Sequence, residues 1–109
     1  MNFNVIVTDN FERKVKQLSK RYSSLKSDLK PVFDKLSSTP NHGVAIGNNC
    51  YKIRIAIRSK SRGKSGGGRI ITYVRYIKET VYLIDVYDKS EKDIISEKEI
   101  IELISLIME

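Results

Sequence analysis

Polar and apolar residues alternate in NFNVIV (residues 2–7), the period of a half-buried strand. Thr8 or Asp9 then offers a side-chain oxygen to the first free N–H groups of a helix. Phe11, Val15, Leu18 and Tyr22 follow at helical spacing. Leu25, Leu29, Val32, Phe33 and Leu36 repeat that spacing. Pro31 among them predicts a kink or a late start, because its ring has no N–H to donate and crowds the preceding turn. The short gap between the two patterns predicts an antiparallel helical hairpin. SSTPNHGVAIGNN (37–49) then reads as a turn-rich connection.

Three strands come next. In YKIRIAIR (51–58), Tyr51, Ile53, Ile55 and Ile57 point one way, and Lys52, Arg54, Ala56 and Arg58 the other. RIITYVRYI (69–77) and VYLIDVY (81–87) are rich in β-branched and aromatic residues, and Lys78, Glu79 and Thr80 predict a tight turn between them. Ser96, followed three residues later by Glu99, forms a capping box before a helix carrying Ile100, Leu103, Ile104 and Ile107. From Ile94 to Met108 the apolar residues cover more than one stripe, so docking one face leaves others exposed. Core packing and contact with a protein partner both stand open. The order β-α-α-β-β-β-α predicts one small α+β domain over residues 1–109, a mainly antiparallel sheet with the helical hairpin packed on it. A chain of 109 residues with 40% hydrophobic and 30% charged residues suits such a domain and buries a core without staples.

Charge changes the picture. The net charge of +7 is unevenly spread: no acid interrupts the lysines and arginines from Lys35 to Lys78, whereas residues 79–109 hold nine acids against three lysines. RSKSRGKSGGGR (58–69) packs five cations, four glycines and three serines into one stretch with no acid and no apolar side chain. Burying unpaired cations costs several kcal/mol or more each, so this stretch is expected in solvent or under something anionic. Its glycines permit close backbone approach, and its cations suit phosphates along a nucleic acid strand. Lys52 and Arg54, on the polar face of the preceding strand, extend the patch, and Arg69, where the loop becomes strand, is the best fixed. GKSGG is not a phosphate-binding P-loop, because Arg58 stands where that motif needs a glycine and no helix pattern follows.

Other chemistry is sparse. No His, Cys, Asp or Glu set has metal-ligand spacing, so neither a metal nor another cofactor is expected. His42, in TPNHG, reads as a turn or capping residue. Cys50 reads as a small, partly buried hydrophobe beside a strand, with no internal disulfide partner. No basic leader opens the chain and no apolar run approaches about 18 residues, which predicts a cytoplasmic protein. Metal-free RNA cleavage stays within reach, because the 2′-hydroxyl is its own nucleophile. A protein then has to move two protons and hold the phosphate charge with fixed cations. Crowded lysines serve as acid or base because neighbouring positive charge lowers their pKa, and arginine suits the phosphate clamp. VYDKSEKD (86–93) sets Tyr87 and Lys89 on one face. The tyrosine either stacks on a base or packs at the strand edge, and the lysine is either a bound or a solvated cation.

The order of elements, with KIRIAIRSKSRGKSGGGRIITY (52–73), VYLIDVYDKSEKDIIS (81–96) and an apolar closing helix, resembles the RelE/ParE superfamily of toxins from type II toxin-antitoxin systems, most closely its HigB-like branch. The resemblance covers nearly the whole chain. It implies a small sheet packed on a helical hairpin, metal-free cleavage of messenger RNA in the ribosomal A site, and inhibition by a cognate antitoxin. Lys64 and Arg69 match the basic residues of the glycine-rich motif, and Tyr87 and Lys89 match active-site positions at the end of the last strand. Lys52, Arg54, Arg58, Lys60 and Arg62 would contact RNA or the ribosome. Several relatives use a histidine near the C-terminus as acid or base. This chain has none after His42, which leaves Lys89 or Lys64 for that role and Arg69 for transition-state stabilisation. A ParE-like inhibitor of DNA gyrase and a noncatalytic RNA-binding module remain alternatives, but the basic loop favours the nuclease. For a toxin, the basic cleft and apolar helix predict an acidic antitoxin that covers one or both.

Overall fold

Thr8 ends the first strand and begins the first helix. Its hydroxyl accepts the Phe11 N–H at 3.3 Å and donates to the Leu83 carbonyl at 2.8 Å, tying the helix start to a residue 75 positions on. The computed structural model describes residues 2–60, 66–92 and 94–107. Strand β1 (Asn4–Val7) leads into α1 (Asp9–Ser19), which buries Phe11 and Leu18. Helix α2 (Leu25–Leu36) buries Leu25, Leu29, Val32 and Leu36. It continues through Pro31 rather than starting after it, and the apolar side chains on both sides of the proline are buried together.

Strand β2 (Val44–Gly47) is an element that the sequence pattern missed. It pairs antiparallel with β3 (Cys50–Ile55), Val44 lying opposite Lys52. The turn between them holds Asn48 and Asn49 at φ 57° and 59°, the left-handed pair that favours asparagine in two-residue hairpins. A 3-10 turn (Arg58–Lys60) follows β3. Strand β4 (Gly68–Arg75) and β5 (Thr80–Asp88) flank a second 3-10 turn (Tyr76–Lys78), closed by Glu79 at φ 47°. Helix α3 (Glu97–Ile107) opens with the expected capping box: Glu99 N–H donates to Ser96 Oγ at 3.1 Å, and the Glu99 carboxylate reaches the Ser96 N–H at 3.5 Å.

The five strands run in the order β1-β5-β4-β3-β2, with β1 parallel to β5 and the other neighbours antiparallel. With the three α-helices among the described residues, this is a small α+β fold with a mostly antiparallel sheet. Helices α1 and α2 cover one face, over Ile53, Ile55, Ile70, Val74, Val81, Leu83 and Val86. The other face, with Cys50, Ile71, Ile84 and Tyr87, packs on Ile95 and Ile100. The β4–β5 ladder slips by one residue: Ile71 lies opposite Asp85 but Thr72 opposite Leu83, so Ile84 is extra. That bulge puts Leu83 and Val86 on the hairpin side and Ile84 and Tyr87 on the α3 side. Helix α3 buries Ile100 and leaves Ile101 and Leu106 exposed, as its broad apolar pattern implies. No helix among the described residues is long and apolar enough to cross a membrane.

Candidate functional site

Register assembles the site. The β3–β4 ladder sets Arg54 opposite Arg69, and the β4–β5 ladder sets Arg69 opposite Tyr87. Residues directly opposite one another share a face with Cβ atoms about 5 Å apart, so these three side chains form a row about 10 Å long across the sheet. Arg54 is exposed, but Arg69 and Tyr87 are only 2% and 3% exposed. Arg69 Nη1 donates to the Gly68 carbonyl at 3.0 Å. Gly68 opens β4 against two isoleucines: a Cβ there would lie 3.2 Å from Ile57, just past β3, and 3.3 Å from Ile55 and the Tyr87 carbonyl. Lys52, half-buried, lies two residues before Arg54 on the same face. Lys89, also half-buried, continues the ladder just past β5, its backbone N–H donating to the Gly67 carbonyl at 3.1 Å.

Lys92 was not foreseen. Its ammonium stands 4.9 Å from the centre of the Tyr87 ring and 2.7 Å from the Glu99 carboxylate. The hydrogen bond from Lys92, stronger than the opposing effect of burial, holds the Glu99 carboxyl below its ordinary pKa.

Beside this row lies a carboxylate that the sequence reading also passed over. Asp88 is fully buried. Its Oδ1 accepts from the Lys60 ammonium, from the Ser90 N–H at 2.9 Å and from the Ser90 hydroxyl at 2.8 Å. Its Oδ2 accepts from the Tyr22 hydroxyl at 2.5 Å and from Arg21 at 3.2 Å. Burial alone would raise the Asp88 pKa, but the hydrogen bonds from Lys60, Tyr22 and Ser90 outweigh it and hold the carboxyl well below the usual range. The Asp-x-Ser spacing after a strand is a local turn signature that could have flagged this residue.

Two expected phosphate contacts are held by the protein's own acids. Strand β3 ends at Ile55, so Arg58 does not continue the face of Lys52 and Arg54 as the alternation had implied. Arg58 turns instead to α2, where its Nε donates to Asp28 at 2.7 Å and its Nη2 to the Ser27 hydroxyl at 2.6 Å. Lys60 is drawn inward by Asp88, its side chain 10% exposed. Arg62 and Lys64 lie outside the described residues. The acids after residue 79 likewise supply counter-ions to the basic part: Asp85 to Lys14 at 3.4 Å, and Glu91 to Arg21 at 3.0 Å. Among the described residues, no three His, Cys, Asp or Glu side chains group as metal ligands.

No protein-family model and no curated protein sequence matches the chain. Solved structures do match it. A double arginine-to-alanine mutant of E. coli toxin RelE in the free state superposes with a TM-score of 0.58 at 21% identity, covering 85% of this chain and 90% of that one. The same mutant in complex with a peptide of antitoxin RelBc gives 0.57 at 23% identity, over 87% and 100% of the two chains. The RelBE2 toxin-antitoxin complex from Mycobacterium tuberculosis gives 0.53 at 15% identity, over 81% and 92%. The chain has the RelE fold. On that fold, what this sequence places at the end of the central strands is a cationic row of Arg54, Arg69 and Lys89 around Tyr87, backed by the buried Asp88. A guanidinium held in a dry, low-dielectric setting acts on a nearby phosphate far more strongly than one in water.

Proposed function

We propose that this protein is the toxin of a type II toxin-antitoxin pair and that it cleaves messenger RNA on the ribosome, in the cytoplasm, without a metal. The observation that carries this reading is the row Arg54–Arg69–Tyr87 across three strands, with Lys89 at its end. In such a cleavage the ribose 2′-oxygen bonds to the adjacent phosphorus and gives its proton to a base. The bond from phosphorus to the 5′-oxygen breaks, and that oxygen takes a proton from a second group. A 2′,3′-cyclic phosphate and a 5′-hydroxyl remain. Arg69 neutralises the charge that builds on the phosphate oxygens, and Lys89 or Lys64 moves protons. Tyr87 orients the phosphate or a base, and Arg54 and Lys52 draw in the strand. Because Arg69 and Tyr87 are enclosed, a phosphate reaches them only when the surface over them opens. A cognate antitoxin fits as the natural inhibitor, its acidic side chains complementing the net charge of +7.

The test is inducible expression in bacteria of the wild type and Arg69→Ala, with messenger RNA 5′ ends mapped within minutes. New cuts at fixed codon phase that vanish in the mutant support the reading. Growth arrest without such cuts sinks it and moves attention to gyrase.

A further inference from the structure

Asp88 lies between Tyr87 and Lys89 in sequence and opposite Gly68, the residue before Arg69, in the ladder. Its two oxygens collect donors from three separate places: the exit of α1 (Arg21, Tyr22), the turn before the glycine-rich segment (Lys60) and the loop after β5 (Ser90). The Lys60 ammonium also lies 3.5 Å from the Gly67 carbonyl, the same carbonyl that receives the Lys89 N–H. Both rims of the glycine-rich segment are thus tied to one carboxylate.

We propose that Asp88 is the positioning residue of this site, setting the spacing of Arg69, Tyr87 and Lys89 by clamping Lys60 and Gly67 to the end of β5. The proposal rests on the nuclease reading above. Asp88 touches no substrate; it acts through the groups it holds. An apolar pair of similar volume holds a fold as well as a buried ion pair does, and often better. What the ionic cluster adds is direction. Five donor–acceptor bonds of set geometry converge on two oxygens, which leaves the strand end one arrangement.

That difference sets the test. Lys60→Met combined with Asp88→Leu keeps the net charge and replaces the pair by packed apolar side chains. The double variant and the wild type are compared for denaturation midpoint and for kcat and KM in cleavage of ribosome-bound messenger RNA. The expected result is a folded variant with KM little changed and kcat lower by about tenfold to a hundredfold, the effect of sub-ångström to ångström misplacement. A folded variant that cleaves as fast as the wild type overturns the proposal. Should the double variant not fold, Tyr22→Phe decides, because it removes one donor to Asp88 and keeps the ring. A several-fold fall in kcat at unchanged midpoint supports positioning, and an unchanged kcat overturns it. A wild type that cleaves nothing also overturns it, but by removing the reaction, an outcome distinct from an active wild type with an equally active variant.

Discussion

The ammonium of Lys60 and the carboxylate of Asp88 meet where neither is open to water, their side chains 10% and 0% exposed. Removing Asp88 leaves the Lys60 ammonium with only the Gly67 carbonyl at 3.5 Å, whereas removing Lys60 leaves Asp88 its donors from Arg21, Tyr22 and Ser90. Asp88→Leu alone is expected to cost about 3–5 kcal/mol and Lys60→Met alone less, and the double variant to lose less than the two single variants together. Urea unfolding of the four proteins closes the cycle. Single and double losses that simply add would show that the pair is not coupled.

Acid should unfold the protein through the same carboxylate and two others. Asp88, Asp28 and Glu99 are each held below their ordinary pKa. At Asp28 burial acts the other way but is outweighed by hydrogen bonds from Ser24 and Arg58. A group with a lowered folded pKa stabilises fully above the unfolded value, about 4 for a carboxyl, and the contribution is lost as pH falls below it, since the unfolded chain then binds more protons. Stability measured from pH 6 downward should hold to about pH 5 and then decline. The decline should be shallower in the Lys60→Met/Asp88→Leu variant.

Gly43 and Gly47 both sit at positive φ, 102° and 94°, yet they should differ in their tolerance of a side chain. A Cβ at Gly43 would lie 2.5 Å from the Lys52 carbonyl oxygen, whereas one at Gly47 meets open space. Gly47→Ala carries backbone strain alone, of order 1 kcal/mol. Gly43→Ala adds a clash with backbone and should destabilise by clearly more, as read from the two melting temperatures. Equal losses would mean that the hairpin shifts to relieve the contact.

The Cys50 thiol is fully buried, and burial pushes its pKa up to about 11. Native protein at pH 8 should therefore resist a thiol reagent that modifies the urea-unfolded chain within minutes. Rapid labelling of the folded form would place Cys50 at a surface.

Thr8 caps α1 and bonds to β5 through one hydroxyl. Thr8→Ala should cost about 1–2 kcal/mol, and Thr8→Ser, which keeps the oxygen, much less. Thermal unfolding of the two variants compares them directly.

Much of this molecule is written in local pattern. The apolar spacing from Phe11 to Leu36, the cap at Thr8 and the box at Ser96 and Glu99 are decided within a few residues, so they are legible one residue type at a time. Strand β2 was missed because VAIG is too short to display alternation. Its only signal was the Asn48–Asn49 pair, whose left-handed turn needs a partner strand to become a hairpin. Of the candidate site, the basic face of β3 and the place of Arg69 and Tyr87 at strand ends could be read from the chain.

The sequence by itself determined the helices, three central strands and a basic surface, because those follow from periodicity, capping and the cost of burying charge. Only the tertiary structure decided which cations stay available. It turned Arg58 to Asp28, Lys60 to Asp88 and Lys92 onto Tyr87, and it aligned Arg54, Arg69 and Tyr87 in one row. The physical reason is that an ion pair and a ladder register join residues far apart in the chain. Lys60 and Asp88 are separated by 28 positions, Arg21 and Asp88 by 67. No window of sequence contains both halves of either contact.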